Sequence, residues 1–125
     1  MLQIANTILY DEADDTKITI LACNSSPDDV MLYEEINAIS KESQGQIKVV
    51  WAVSRERPKK PTSAKCKVVP YPWPHVFGRI GTELMTEHLV PPSDDTIVCL
   101  CGPPGFNKVA QEAFTKQGYD RVLTW

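Results

Sequence analysis

The sequence has little of what several function classes require. No apolar run in its 125 residues approaches the roughly 20 that a membrane-crossing helix needs, so no span is predicted and the chain is read as soluble. Basic charge is not in excess. Thirteen Lys and Arg stand against 16 Asp and Glu, a formal net charge of -3, and that overall field does not favour a phosphate-backbone partner, so no nucleic acid is expected. Histidine is scarce: His75 and His88 are the only two, no spaced Cys/His quartet marks a zinc site, and both are read as surface or packing residues. The four cysteines, Cys23, Cys66, Cys99 and Cys101, do not argue for disulfides. Three of them sit in or at the end of apolar runs, where free thiols behave as small buried hydrophobes, and this usage suits a reducing, cytoplasmic compartment. Internal repeats and low-complexity tracts are absent, and the length suits one domain with one core.

What is present is an alternation of short β-branched runs with longer stretches of helical period, the pattern of a parallel α/β fold. Strands are predicted over Lys17–Cys23, Ile47–Val53, Thr96–Cys101 and Arg121–Thr124, nearly continuously apolar as strands covered on both faces should be. Between the first two, Ser26 reads as an N-cap, Pro27 as the first helical residue, Asp28 and Asp29 as first-turn acids, and Gly45 as the stop, so one helix is expected across that stretch. Another is expected over Thr82–Leu89. The last carries Phe106, Val109, Ala110, Ala113 and Phe114 on one stripe and closes at Lys116 and Gly118. The proline-rich stretch Arg57–Phe77 reads as an irregular loop. At the start, Leu2, Ile4, Ala5, Ile8 and Leu9 form a helical stripe with no capping residue before it, so the first strand of a doubly wound sheet is expected to be missing ahead of Met1. The predicted class is a three-layer α/β/α Rossmann-like domain with a mostly parallel sheet.

Open parallel sheets bind ligands beyond the carboxyl ends of their strands, where backbone groups and helix N-termini converge. Two such ends carry chemistry. In "VCLCGPPGF", residues 98–106, Gly102 removes a side chain where a flat ring approaches, Pro103 and Pro104 stiffen the turn, and the next helix presents its positive end. A turn that uses Gly and Pro for geometry alone is the alternative. After Val53 come Ser54, Arg55 and Arg57, a hydroxyl and guanidinium pattern suited to a phosphate monoester; the alternative is a solvated basic loop. Lys59, Lys60, Lys65 and Lys67 extend that loop and either touch an acidic carrier or are simply solvated. Cys99 and Cys101 also raise a thiol redox pair, or half a metal site with Cys23 or Cys66. Strand geometry opposes this, since Cys99 should lie under a helix while Cys101 emerges at the strand end.

The segments "LACNSSPDDVML" (21–32), "GRIGTELMTEHL" (78–89) and "PPSDDTIVCLCGPPGF" (91–106) together resemble the NAD(P)H-binding half of ferredoxin-NADP reductase-like flavoenzymes, most of all cytochrome b5 reductase, over essentially the whole chain. The Cys-Gly-Pro-Pro stretch is the most specific part. The resemblance implies hydride transfer from NAD(P)H to FAD held by a separate flavin domain, with onward one-electron transfer to an acceptor such as cytochrome b5. It also implies a cofactor-binding set of Asn24, Ser54, Arg55, Cys101, Gly102, Pro103, Pro104 and Phe106. Adenosine would lie near Ser54 and Arg55 and nicotinamide near Cys101 and Gly102, with Cys101 the catalytic residue by positioning rather than as a nucleophile. The chain departs from the family pattern at two points. The family's Gly-Gly-Thr-Gly-Ile-Thr-Pro turn and its flavin barrel would precede Met1, so the chain resembles a fragment, expected to bind nucleotide weakly and to be inactive alone. Ser54 stands where NADH-preferring members carry an acid, and Ser54-Arg55 resembles a phosphate-binding pair, which favours NADPH. The resemblance also admits the cytosolic face of a membrane, through an anchor ahead of Met1. Trp125 is read as a core-facing or exposed side chain in preference to an aromatic cover on the flavin, and Tyr33 as packing. A regulatory fragment that senses nucleotide without flavin chemistry, and a thiol or metal redox module, are the other functional readings.

Overall fold

The computed structural model describes residues 2–55 and 74–125. In chain order the elements are α1 (Leu2–Tyr10), β1 (Ile18–Asn24), a 3-10 turn (Pro27–Asp29), α2 (Tyr33–Glu42), β2 (Ile47–Val53), β3 (Val76–Phe77), α3 (Thr82–His88), β4 (Val98–Leu100), α4 (Pro104–Lys116) and β5 (Val122–Thr124). Among the described residues every strand pairing is parallel, as the sequence pattern requires. The strands hydrogen-bond as two sheets rather than one, ordered β1-β2-β3 and β4-β5. The chain correspondingly divides into two compact units, Ala5–Arg79 and Ile80–Trp125 with Met1–Ile4.

In the first unit β2 is the inner strand, paired with β1 on one side and β3 on the other. Ile47, Val50, Trp51, Ala52 and Val53 are all buried, which explains the nearly unbroken apolar run. Helix α2 is fastened to this strand at both ends. Near its start the Tyr33 ring meets Trp51 with centroids 5.1 Å apart, and the Trp51 Nε1–H donates to Asn37 Oδ1 at 3.3 Å. Near its end the Ser40 hydroxyl donates to the Ile47 carbonyl at 2.8 Å, and Ser43 Oγ accepts from the Ile47 N–H at 3.0 Å. Tyr33 is thus a packing residue.

The helix start differs from the expectation. Ser26 and Pro27 open only a single 3-10 turn, because the Asp29 carboxylate accepts from both the Ser26 N–H at 3.0 Å and its hydroxyl at 3.1 Å and closes the turn on itself. Val30 then turns extended, and Leu32 enters the left-handed region at φ 58° before α2 begins at Tyr33. The capping signal was real but local. The other departure is β3, whose two residues lie within the stretch read as irregular.

The second unit is built on α4. Ala110 and Phe114 on its inner stripe pack with Met85 of α3, Leu100 of β4 and Tyr119, and Phe106, Ala113, Val98 and Val122 border that core. Val109, on the predicted apolar stripe, is instead half exposed. The helix ends as its sequence indicates: Gly118 adopts φ 90°, and the Tyr119 N–H reaches back to the Phe114 carbonyl at 3.1 Å. The segment before β4 is stapled to the residues between α4 and β5. The Tyr119 hydroxyl donates to the Val90 carbonyl, Arg121 Nη1 to the Asp94 carbonyl at 3.3 Å, and the Val98 N–H to the Arg121 carbonyl at 2.9 Å.

Candidate functional site

At the carboxyl end of the first sheet, parallel pairing sets Asn24 beside Val53. One step further the Ser54 N–H donates to the Asn24 carbonyl at 3.1 Å, and the Ser54 hydroxyl approaches the Ser25 carbonyl at 3.4 Å. Asn24 Nδ2 likewise reaches its own strand at Ala22, also at 3.4 Å. Both side-chain contacts are long, so turning either group toward an incoming acceptor forfeits little. Arg55 comes next, with its side chain exposed. The structure therefore brings Asn24 and Ser54 together at one strand end with Arg55 next in line, a set able to hold an anionic or hydroxyl-rich group. Arg57, Cys66 and Lys59, Lys60, Lys65 and Lys67 lie outside the described residues.

In the second unit the strand-to-helix turn gathers Cys101, Gly102, Pro103, Pro104 and Phe106. Cys101 emerges exposed from β4, Pro103 takes the N-cap position in extended conformation (φ -56°, ψ 150°), and Pro104 is the first helical residue. Its fixed φ suits that position, and the amide it lacks would have had no partner inside the helix. Gly102 is required here for space. A Cβ on it would stand 2.7 Å from Phe106 Cδ1 and 3.3 Å from Asn107 Oδ1, closer than a side chain can approach the Phe106 ring. The Phe106 ring thus fills the space a side chain would take, and the turn stands beside the positive end of a 13-residue helix. The rigid Gly-Pro-Pro turn and the first-turn amides of α4 beyond the two prolines are compatible with a polarised ring such as a nicotinamide.

Sequence reading missed Asn107. Its Nδ2 donates to the Trp125 carbonyl at 3.0 Å, while its Oδ1 is buried with no hydrogen-bond partner. The signal was out of reach, because the partner lies 18 residues away and the asparagine stands among ordinary polar helix positions. Trp125 itself donates its N–H to the Leu100 carbonyl at 3.1 Å and is 64 % exposed, so its side chain does not enter the core.

The described thiols Cys23, Cys99 and Cys101 are free, and among the described residues no three His, Cys, Asp or Glu side chains converge as a metal site. His88 lies 3.6 Å from Glu87 on the same helix. Burial pushes the half-buried Cys23 thiol up to about 11 from an ordinary 9.0. A raised acid favours the protonated, folded form, so its contribution is fully present below pH 9 and is lost as pH rises through about 11. Stability measured by urea denaturation is expected to fall by about 2–3 kcal/mol more across that window in the parent than in Cys23→Ala. Equal pH slopes in the two proteins would show that the thiol is not the cause.

Among described residues no helix is long and apolar enough to cross a membrane. Residues 1–112 match the family model described as the oxidoreductase NAD-binding domain. Over 120 residues, 95% of the chain, the sequence is 32% identical to NADH-cytochrome b5 reductase 2 of Xenopus tropicalis, covering 35% of that protein. It is 29% identical over 122 residues, 98% of the chain, to NADH-cytochrome b5 reductase 1 of Lodderomyces elongisporus, covering 36% of it. The chain thus spans about a third of the length of these curated relatives. The cytochrome b5 reductase domain of Ulva prolifera nitrate reductase has the same fold, with a TM-score of 0.79 and 24% identity over 98% of this chain and 42% of that one.

Proposed function

Because the chain belongs to the family of oxidoreductase NAD-binding domains, we propose that it holds NAD(P)H for hydride transfer to an FAD carried by a flavin domain outside these residues, with electrons passing on to an acceptor such as cytochrome b5. The observation that carries this reading is the turn at the carboxyl end of β4, where exposed Cys101 leads through Gly102, Pro103 and Pro104 into the positive end of α4. Bound nicotinamide would supply the hydride. The chain's own share is orientation: Pro103 and Pro104 fix the turn, Gly102 lets the Phe106 ring back it from the core side, and exposed Cys101 sets the nicotinamide's height above the strand end. Aligned approach of this kind accounts for several kcal/mol of a transfer barrier. No thiol covalent step is required of Cys101.

The other end of the dinucleotide is assigned to Asn24, Ser54 and Arg55. A guanidinium fork and a hydroxyl recognise a phosphate on the ribose, whereas a carboxylate at position 54 would repel it, and this supports NADPH over NADH. The relatives bear the name NADH-cytochrome b5 reductase, so the preference is a point at which this chain is proposed to depart from them.

Both proposals meet in one experiment. With the chain joined to its flavin domain, NADPH is expected to reduce the flavin in a rapid-mixing measurement. Arg55→Ala is expected to weaken NADPH roughly tenfold while changing NADH less than about twofold; charge-assisted bonds at an exposed site fall at the low end of their range. Absence of flavin reduction by either nucleotide would sink the enzymatic reading. Equal NADH and NADPH preference in both parent and variant would remove the phosphate assignment alone.

A further inference from the structure

We propose that Arg79 is a specificity-determining residue: it stands with Arg55 at neighbouring strand ends and shares with it the phosphate monoester on the adenosine ribose of NADPH. The proposal rests on the reading of the β2 end as the place of that phosphate.

Three observations lead to Arg79. First, strand register brings the two arginines together. β2 and β3 run parallel with Ala52 beside Val76 and Val53 beside Phe77, and the ladder goes one step further, the Gly78 N–H donating to the Val53 carbonyl at 2.9 Å. Ser54 and Gly78 are therefore the first residues past the two paired ends, and an arginine follows each. Neighbouring strands lie about 5 Å apart, less than the reach of an arginine side chain, so guanidinium groups based there can meet on one anion.

Second, neither arginine has a counter-charge. Both are exposed, and among the described residues no carboxylate pairs with either. Asp29, in the turn that follows β1, already accepts from the Ser26 N–H and hydroxyl. Like charges on adjacent strands repel, so such a pair is unfavourable by itself, and an anion set between the two removes the cost.

Third, the ligand carries enough charge for both. A phosphate monoester bears close to two negative charges at neutral pH and three acceptor oxygens, more than one hydroxyl and one guanidinium satisfy. Ser54 and Arg55 engage part of it, and Arg79 supplies a second fork from the neighbouring strand. A dinucleotide without the monoester brings no dianion to this place, so Arg79 adds to discrimination rather than to binding in general.

The test titrates the 125-residue chain with ADP-ribose 2′-phosphate and, separately, with ADP-ribose, which differs only in lacking the monoester, followed by amide and phosphorus NMR. The parent is expected to bind the phosphorylated ligand more tightly. Arg79→Ala should weaken that ligand roughly tenfold and leave ADP-ribose within about twofold, while Arg79→Lys, which keeps the charge and loses the fork, should fall between. The bound monoester should also deprotonate about one pH unit below its free value of about 6, and Arg79→Ala should lose roughly half of that displacement, which a role in folding alone would not move. The amide signals of Ala52 and Val53 should stay in place, since neither variant removes a strand contact. If the parent binds neither ligand, or binds the two equally, the phosphate reading of Ser54 and Arg55 fails and takes this proposal with it. If the parent prefers the phosphorylated ligand and the Arg79 variants keep that preference, or lose both ligands in step, the role of Arg79 is overturned while that reading stands.

Discussion

Replacing Phe114 with alanine is expected to remove about 3–5 kcal/mol of folding stability, a large share of the roughly 5–15 kcal/mol that a domain possesses. Phe114 is only 5 % exposed and lies among Met85, Leu100, Ala110 and Tyr119. Its ring meets that of Tyr119 edge to face, centroids 5.1 Å apart, a geometry that adds about 0.5–1.5 kcal/mol to simple burial. Truncation thus loses transfer energy, the ring pair and the contacts lining the resulting hole. The site cannot collapse easily, because its walls come from α3, β4 and Tyr119 beyond the end of α4. The Phe114 carbonyl also receives the Tyr119 N–H, so the same residue ends the helix and fills the core. Urea denaturation is the measurement, read as a lower midpoint at unchanged slope. A loss under about 1 kcal/mol would mean that the cluster repacks freely and that the described core is not close-packed.

Valine at position 102 is the second large effect, and it should act on chemistry more than on folding. A Cβ there would begin 2.7 Å from Phe106 Cδ1, and Phe106 borders the core, so the ring cannot swing aside without giving up its packing. Overpacking of this kind costs about 1–3 kcal/mol, more for the two extra methyl groups of valine, and is relieved by shifting the turn against which the nicotinamide is proposed to lie. Displacing that ring by an ångström is worth about a hundredfold in transfer rate. Gly102→Ala is therefore expected to slow flavin reduction in the joined enzyme about a hundredfold, and Gly102→Val further still. ADP-ribose 2′-phosphate should bind both variants as it binds the parent. Flavin reduction within twofold of the parent in Gly102→Ala would remove the proposed role of this turn in placing the ring.

Much of this was readable from residue order, for physical reasons that differ between elements. Helix α4 announced itself because Phe106, Ala110 and Phe114 repeat with the period of one face and Gly118 supplies the left-handed stop. β2 did so because a strand buried on both sides needs an unbroken apolar run. The capping residues Ser26 and Asp29 misled, since a short-range hydrogen-bond pair is satisfied by one turn and contains nothing about whether Val30 and Leu32 continue it. β3 could not be read: two residues carry no period, and their pairing to Ala52 and Val53 is a tertiary fact. Of the site, Gly102 and its prolines were legible as a turn under constraint. The particular constraint, a ring four residues on, was not, and neither was the hydrogen bond between Asn107 and Trp125.

The staples that hold β4 bear on how the protein is made. β4 pairs with β5, and the segment before it is tied down by Tyr119 and Arg121, all supplied by chain that emerges later. At a ribosome adding about 5–20 residues per second, the stretch from Val98 to Val122 takes roughly one to five seconds to appear. Until it does, an apolar edge waits without its neighbour, the period in which a nascent chain is most open to chaperones or to a second unfinished copy.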